Sequence, residues 1–253
     1  WITPALSMHR VVWSDTTVKG NGNEKIIKLP VAKNIRQGYY KDIAVYAFTA
    51  LSGTDSSTDN IIPVVTTNAP GQDGTKLITP GNKENFSSKK SCWIDYAFKK
   101  PFTCRSIEII TKGITFQAKR LKIYISDNGK EYRYYTELVP ARSGWQDYTY
   151  PVHYSIPAVT SKYFRFVYDP EGTEPGSEDL DDAKWSPSLK LTGLKLSCQA
   201  RIDHFEGKSG AIWRIAKRTD ASQIPDSSCI KTSQLINITK YLQADGTLHW
   251  KAP

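Results

Sequence analysis

The stretch 92–110, CWIDYAFKKPFTCRSIEII, decides the fold class. Apolar and polar side chains alternate on both sides of Lys99-Lys100-Pro101, the two-residue period of half-buried strands. Proline cannot continue a central strand, so the Lys-Lys-Pro step predicts a turn between two successive strands. Downstream, AKRLKIYISDNGKEYRYYTEL puts Leu121, Ile123 and Ile125 on one face. It then offers Asp127-Asn128-Gly129, residues that tolerate positive φ, as the turn of a hairpin.

Further along the chain, GWQDYTYPVHYSIPAVTSKYFRFVYDP reads as short runs broken by Pro151 and Pro157, followed by a well-formed strand from Tyr163 to Tyr168. LKLTGLKLSC, 189–198, reads as another strand. Short strands at this spacing, with turn signals between them and no long amphipathic helix, predict an all-β protein built on an antiparallel β-sandwich over 43–198. Two flanking segments, 1–42 and 199–253, complete the chain. In the first, Thr3 and Pro4 read as the N-cap and first position of a short helix through Val12, and GNGNE at 20–24 reads as a turn. In the second, Leu235–Ile238 is strand-like, Ala244-Asp245-Gly246 is a turn, and Leu-His-Trp forms a last strand with no partner signal after it.

The chain has 253 residues, a formal net charge of +9, and seven Trp, fourteen Tyr and eight Phe. This is enough aromatic area for a core, and a composition far from disorder. Lys and Arg are scattered, with doublets such as Lys89-Lys90 and Lys99-Lys100 and no longer run, so no stripe is laid out for nucleic acid. No apolar run reaches the roughly 18–20 residues of a membrane span. Cys92, Cys104, Cys198 and Cys229 lie far apart without zinc-ligand spacing, and two disulfides are compatible with them but not compelled. The four histidines form no ligand or triad spacing.

Three stretches are candidates for chemistry. PGSEDLDDAKWSPSLK, 175–190, gathers Glu178, Asp179, Asp181 and Asp182. Glycosidases need two opposed carboxyl groups roughly 5–10 Å apart, but adjacent acids in a Pro/Gly/Ser-rich loop lack the desolvation that raises a catalytic pKa and lack the order of an EF-hand. They read as a solvated loop, and no catalytic residue is assigned. NAPGQDGTK, 68–76, holds Asp73, which by its residues alone is a turn before Gly74. ARSGWQDY, 141–148, puts Arg142, Trp145, Asp147 and Tyr148 on one loop, the mixture of ring faces and oriented polar groups that sugar sites use. Packing of Trp145 against the sandwich end is the competing role.

Several long motifs together resemble glycoside hydrolase family 106, the α-L-rhamnosidase-like enzymes. They are WITPALSMHRVVWSD at 1–15, GYYKDIAVYAF at 38–48, SGWQDYTYPVHYSIP at 143–157, KYFRFVYDPEGTEPGSEDLDDAKWSPSLKLTGLKLS at 162–197, EGKSGAIWRI at 206–215 and INITKYLQADGTLHWKAP at 236–253. Within the central block, SCWIDYAFKKPFTCRSIEI and LKIYISDNGKEY are similar to galactose-binding-like (discoidin-like) jelly-roll sandwiches, and it is from such domains that a calcium at Asp73 is implied. The resemblance implies an internal, non-catalytic segment of a longer enzyme that carries a (β/α)₈ catalytic barrel. Its partners would be the remainder of that chain and a rhamnose-containing glycan, and its location secreted or periplasmic. The competing reading is an independent carbohydrate-binding module.

Overall fold

The computed structural model describes residues 12–31, 40–51, 56–111, 120–138, 151–171, 188–203, 205 and 224–253. The expected helix at 3–12 therefore lies almost wholly outside the described residues. In chain order the strands are β1 (Glu24–Lys28), β2 (Tyr46–Ala47), β3 (Val64–Thr67), β4 (Phe86–Ser88), β5 (Cys92–Ile110), β6 (Leu121–Ser126), β7 (Arg133–Leu138), β8 (Val152–Tyr168), β9 (Leu189–Leu191), β10 (Gly193–Ser197), β11 (Ile236–Asn237) and β12 (Thr247–Lys251). All their pairings are antiparallel. The chain forms two compact units, one from 53–228 and one from 1–52 with 229–253.

The larger unit is the β-sandwich core. Its main sheet runs β10-β5-β8-β6-β7, with β3 also on β5, and β4 pairs with β9 separately. Alternation places Ile94, Tyr96 and Phe98 of β5, Ile123 and Ile125 of β6, and Phe164 and Phe166 of β8 at 0–2% exposure, so one face of this sheet is a dry core. Tyr96 is accommodated there because its hydroxyl donates to the Leu194 carbonyl at 2.6 Å, which satisfies the one polar atom the ring brings in. Among the described residues the four cysteines are free thiols, and burial pushes Cys92, Cys104 and Cys198 up in pKa.

Lys99-Lys100-Pro101 is not a turn. β5 continues through it, pairing with β8 on both sides in the same direction. Between Ala97↔Tyr163 and Phe102↔Ser161, β5 advances five residues against two of β8, so the extra residues form a bulge. Proline fits there because a bulge has no ladder hydrogen bond for its missing N–H to break. Phe98 and Phe102 fix the bulge by stacking at 4.4 Å with 6° between their planes, and Phe164 meets both edge-on. Pro157 likewise does not end a strand. It sits within β8 where that strand advances four residues, from Ser155 to Val159, against two of β5, from Cys104 to Ser106.

The β6–β7 hairpin forms as expected, with Gly129 at φ 74°. Ser126 Oγ receives the Gly129 N–H at 3.0 Å, and Asn128 Oδ1 receives those of Lys130 and Glu131 at 2.8 and 2.9 Å. The single strand expected at 189–198 is instead two strands, β9 on β4 and β10 on β5. The changeover falls at Gly193, directly opposite Ile110, where an added Cβ would stand 2.8 Å from Ile110 Cδ1.

In the smaller unit, β1 pairs with β12 from Glu24↔Lys251 to Lys28↔Thr247, and β2 pairs with β11. The last strand thus finds its partner more than two hundred residues upstream, beyond the reach of any local sequence signal. The turns at Gly22 and Gly246 adopt φ of 72° and 80°.

Candidate functional site

The strand period that sends Ile94, Tyr96, Phe164 and Phe166 into the core sends their neighbours Trp93, Asp95 and Arg165 to the opposite face of the sheet. Asp95 lies directly across from Arg165, and Arg165 directly across from Tyr124, which in turn faces Tyr134. A single row of side chains therefore crosses β5, β8, β6 and β7.

Arg165 grips Asp95 in a fork, Nε to Oδ1 and Nη2 to Oδ2, each 2.7 Å. Its guanidinium lies 3.9 Å from the Tyr132 ring centroid and 4.6 Å from that of Trp93. Tyr132, from the segment between the hairpin turn and β7, donates its hydroxyl to Asp95 Oδ2 at 3.1 Å. Tyr124 and Tyr134 meet edge-on at 5.6 Å, and Tyr134 is 54% exposed. Hydrogen bonding to Asp95, with its negative charge, raises the Arg165 pKa further, so the guanidinium is a permanent cation. Burial, followed by the Asp95 charge, pushes the Tyr132 phenol up to about 12, so it is a hydrogen-bond donor at neutral pH.

Chemically this cluster holds ring faces, a fixed cation and an anion that cancel each other, and no nucleophile. Such a surface stacks on apolar C–H faces and donates to hydroxyl oxygens. It also clamps the sheet. Sequence reasoning did not find it because Asp95 and Arg165 are 70 residues apart. The available signal was a lone charged residue inside each of two aromatic-rich strands, WIDY and YFRFVY.

The sugar-binding candidates Arg142, Trp145, Asp147 and Tyr148 lie outside the described residues, as do Glu178, Asp179, Asp181 and Asp182. Asp73 is described. It caps a 3₁₀ turn, Gly74–Ile78, and its Oδ1 receives the Thr75 N–H at 3.0 Å and the Thr75 hydroxyl at 2.6 Å. The Thr75 hydroxyl, then its N–H, hold this carboxyl below the usual aspartate range. The nearby Glu84 is engaged with Lys76. Among the described residues no three His, Cys, Asp or Glu side chains gather into a metal-holding group. A cation here would take Asp73 Oδ2 together with backbone carbonyls of the 68–76 loop, a donor set of hard oxygens that suits calcium in kind but supplies a single carboxylate.

These features define an all-β, antiparallel sandwich protein. The chain belongs to the α-L-rhamnosidase family, glycoside hydrolase family 106, whose profile matches residues 1–253. A rhamnosidase from Novosphingobium sp. PP1Y shares the fold over 96% of this chain, at TM-score 0.58 and 19% identity. The chain spans 22% of the length of that rhamnosidase. A pectin-binding carbohydrate-binding module matches 57% of this chain and 96% of its own, at TM-score 0.40 and 17% identity. A Clostridium perfringens protein in complex with GalNAc-β-1,3-galactose matches 59% of this chain and 100% of its own, at TM-score 0.40 and 9% identity. No curated protein sequence matches the chain.

Proposed function

We propose that the chain is a non-catalytic accessory segment of a secreted or periplasmic α-L-rhamnosidase, which scaffolds the catalytic domain and contacts the rhamnose-containing glycan. The observation that carries this is the pairing of a family match along the whole chain with a span of only 22% of a rhamnosidase of the same fold. Glycan contact would use the loop of Arg142, Trp145, Asp147 and Tyr148, and a calcium ion at Asp73 would stiffen the 68–76 loop.

A second reading, an independent carbohydrate-binding module, is favoured by the cluster of Trp93, Arg165, Tyr132 and Tyr134, which joins ring faces to a fixed donor. Two measurements separate the readings. The 253-residue chain is expected to leave an aryl α-L-rhamnoside intact while the full-length polypeptide carrying it hydrolyses it; turnover by the chain alone overturns the proposal. Glycan binding by the isolated chain, lost on Tyr134→Ala and retained in Trp145→Ala, would establish the module instead.

A further inference from the structure

The β2–β11 ribbon is two strands wide, and it exposes an apolar side chain on each face among the described residues. Ala47 and Ile236 pair on one face, Tyr46 and Asn237 on the other. Tyr46 is 53% exposed and Ile236 48%, and the adjoining Ile43 is 68% exposed. The backbone is nevertheless held in place. Ile238 is buried and its N–H donates to the Val45 carbonyl at 2.9 Å, while the Val45 N–H donates to Thr239 Oγ1 at 2.9 Å. Apolar side chains are thus fixed in water on a ribbon of a width that is marginal by itself, and a two-stranded element normally needs a third layer or strand to be stable.

We propose that this ribbon is the seat of the catalytic remainder of the rhamnosidase chain, which closes over both its faces and covers Ile43, Tyr46, Ile236 and Tyr241 with apolar groups edged by carboxylates. The inference rests on the accessory-segment reading above. Two observations select this occupant. Most of a rhamnosidase of this fold lies beyond the 22% that the chain spans, so a partner of sufficient size belongs to the same enzyme. The charged groups flanking the apolar residues are chiefly basic: Lys41 precedes Ile43, and Lys240 sits 5.0 Å from the Tyr241 ring centroid. The intervening Asp42 receives the Tyr40 hydroxyl. A rim of this sign matches an acidic rim on the partner.

The test is hydroxyl-radical footprinting of Tyr46 and Tyr241, in the 253-residue chain and in the full-length polypeptide that carries it, with the sandwich residue Tyr134 as reference. Labelling of both tyrosines is expected to fall by about an order of magnitude in the full-length protein, the scale of a closed site that opens only locally. Ile43→Lys with Ile236→Lys in the full-length protein should restore labelling of Tyr46. The milder pair Ile43→Thr with Ile236→Thr, which keeps strand propensity, should restore part of it if the lysine variant misfolds. Equal labelling of Tyr46 in the two proteins overturns the inference. Protection in the isolated chain that grows with protein concentration also overturns it, by showing that the occupant is a second copy, and protection there at every concentration assigns the cover to the chain's own segments. Failure of the underlying reading registers separately, as absence of rhamnosidase activity in the full-length protein.

Discussion

Arg165 and Asp95 face each other across the β5–β8 pair and exchange two 2.7 Å hydrogen bonds, with Trp93 and Tyr132 against the guanidinium. Asp95 is 8% exposed while the Arg165 side chain keeps 27%, so deleting either partner leaves an incompletely hydrated charge. Asp95→Ala should lower unfolding free energy by about 2–3 kcal/mol, below the full range for a buried pair because water reaches Arg165. Arg165→Lys should cost about 1–2 kcal/mol through loss of the fork and of ring stacking. Urea unfolding followed by tryptophan fluorescence measures both, and an Arg165→Lys variant as stable as the parent would refute the fork's importance.

Tyr132 gives a pH signature. Its folded pKa is raised to about 12, above the ordinary tyrosine value near 10. The protonated phenol therefore contributes stability that is fully present below about pH 10 and is lost as pH rises toward 12. Tyr132→Phe should be less stable than the parent at pH 8 and should show a shallower decline between pH 10 and 12. Parallel stability curves for the two proteins would contradict this.

Gly193 faces Ile110 too closely for a side chain. Gly193→Ala should destabilise the sandwich by about 1–3 kcal/mol through overpacking. Gly193→Ala should cost less in an Ile110→Ala background than in the parent, because Cδ1 and Cγ1 of Ile110, which the new methyl meets, are then gone. Thermal unfolding of the four-member cycle reads this coupling.

For Asp73 the expectation concerns both acid and calcium. Its folded pKa is depressed, so the contribution of its charged form is present above the ordinary aspartate value near 3.9 and disappears as pH falls through the lower folded value. Parent and Asp73→Asn melting temperatures should differ least at the acidic end. Calcium should raise the melting temperature of the parent and not of Asp73→Ala, and identical melting of the parent with calcium and with chelator would remove the ion from the proposal.

Local chemistry was legible in the sequence. Asp127-Asn128-Gly129 specifies its turn through side chains that bond within four residues, and the alternation of Leu121, Ile123 and Ile125 specifies which face is buried. Lys99-Lys100-Pro101 and Pro157 misled because proline excludes a regular ladder but is compatible with a bulge, and only the partner strand reveals which of the two exists. Gly193 divided an apparently continuous strand for a reason located on Ile110, more than eighty residues away. The pairings β1–β12 and Asp95–Arg165 were invisible for the same reason: they are long-range, and each segment alone looks like any other half-buried strand.

The bulge around Lys99 and Lys100 has a further consequence. Pairing restarts at Phe102↔Ser161 beyond the gap, and both lysines are exposed. The β5–β8 pair can therefore accept a graft: a peptide tag or fluorophore-bearing loop placed between Lys99 and Lys100 should leave the inward set on either side unchanged. This makes the corner a place to attach probes without disturbing the Phe98–Phe102 stack beneath it.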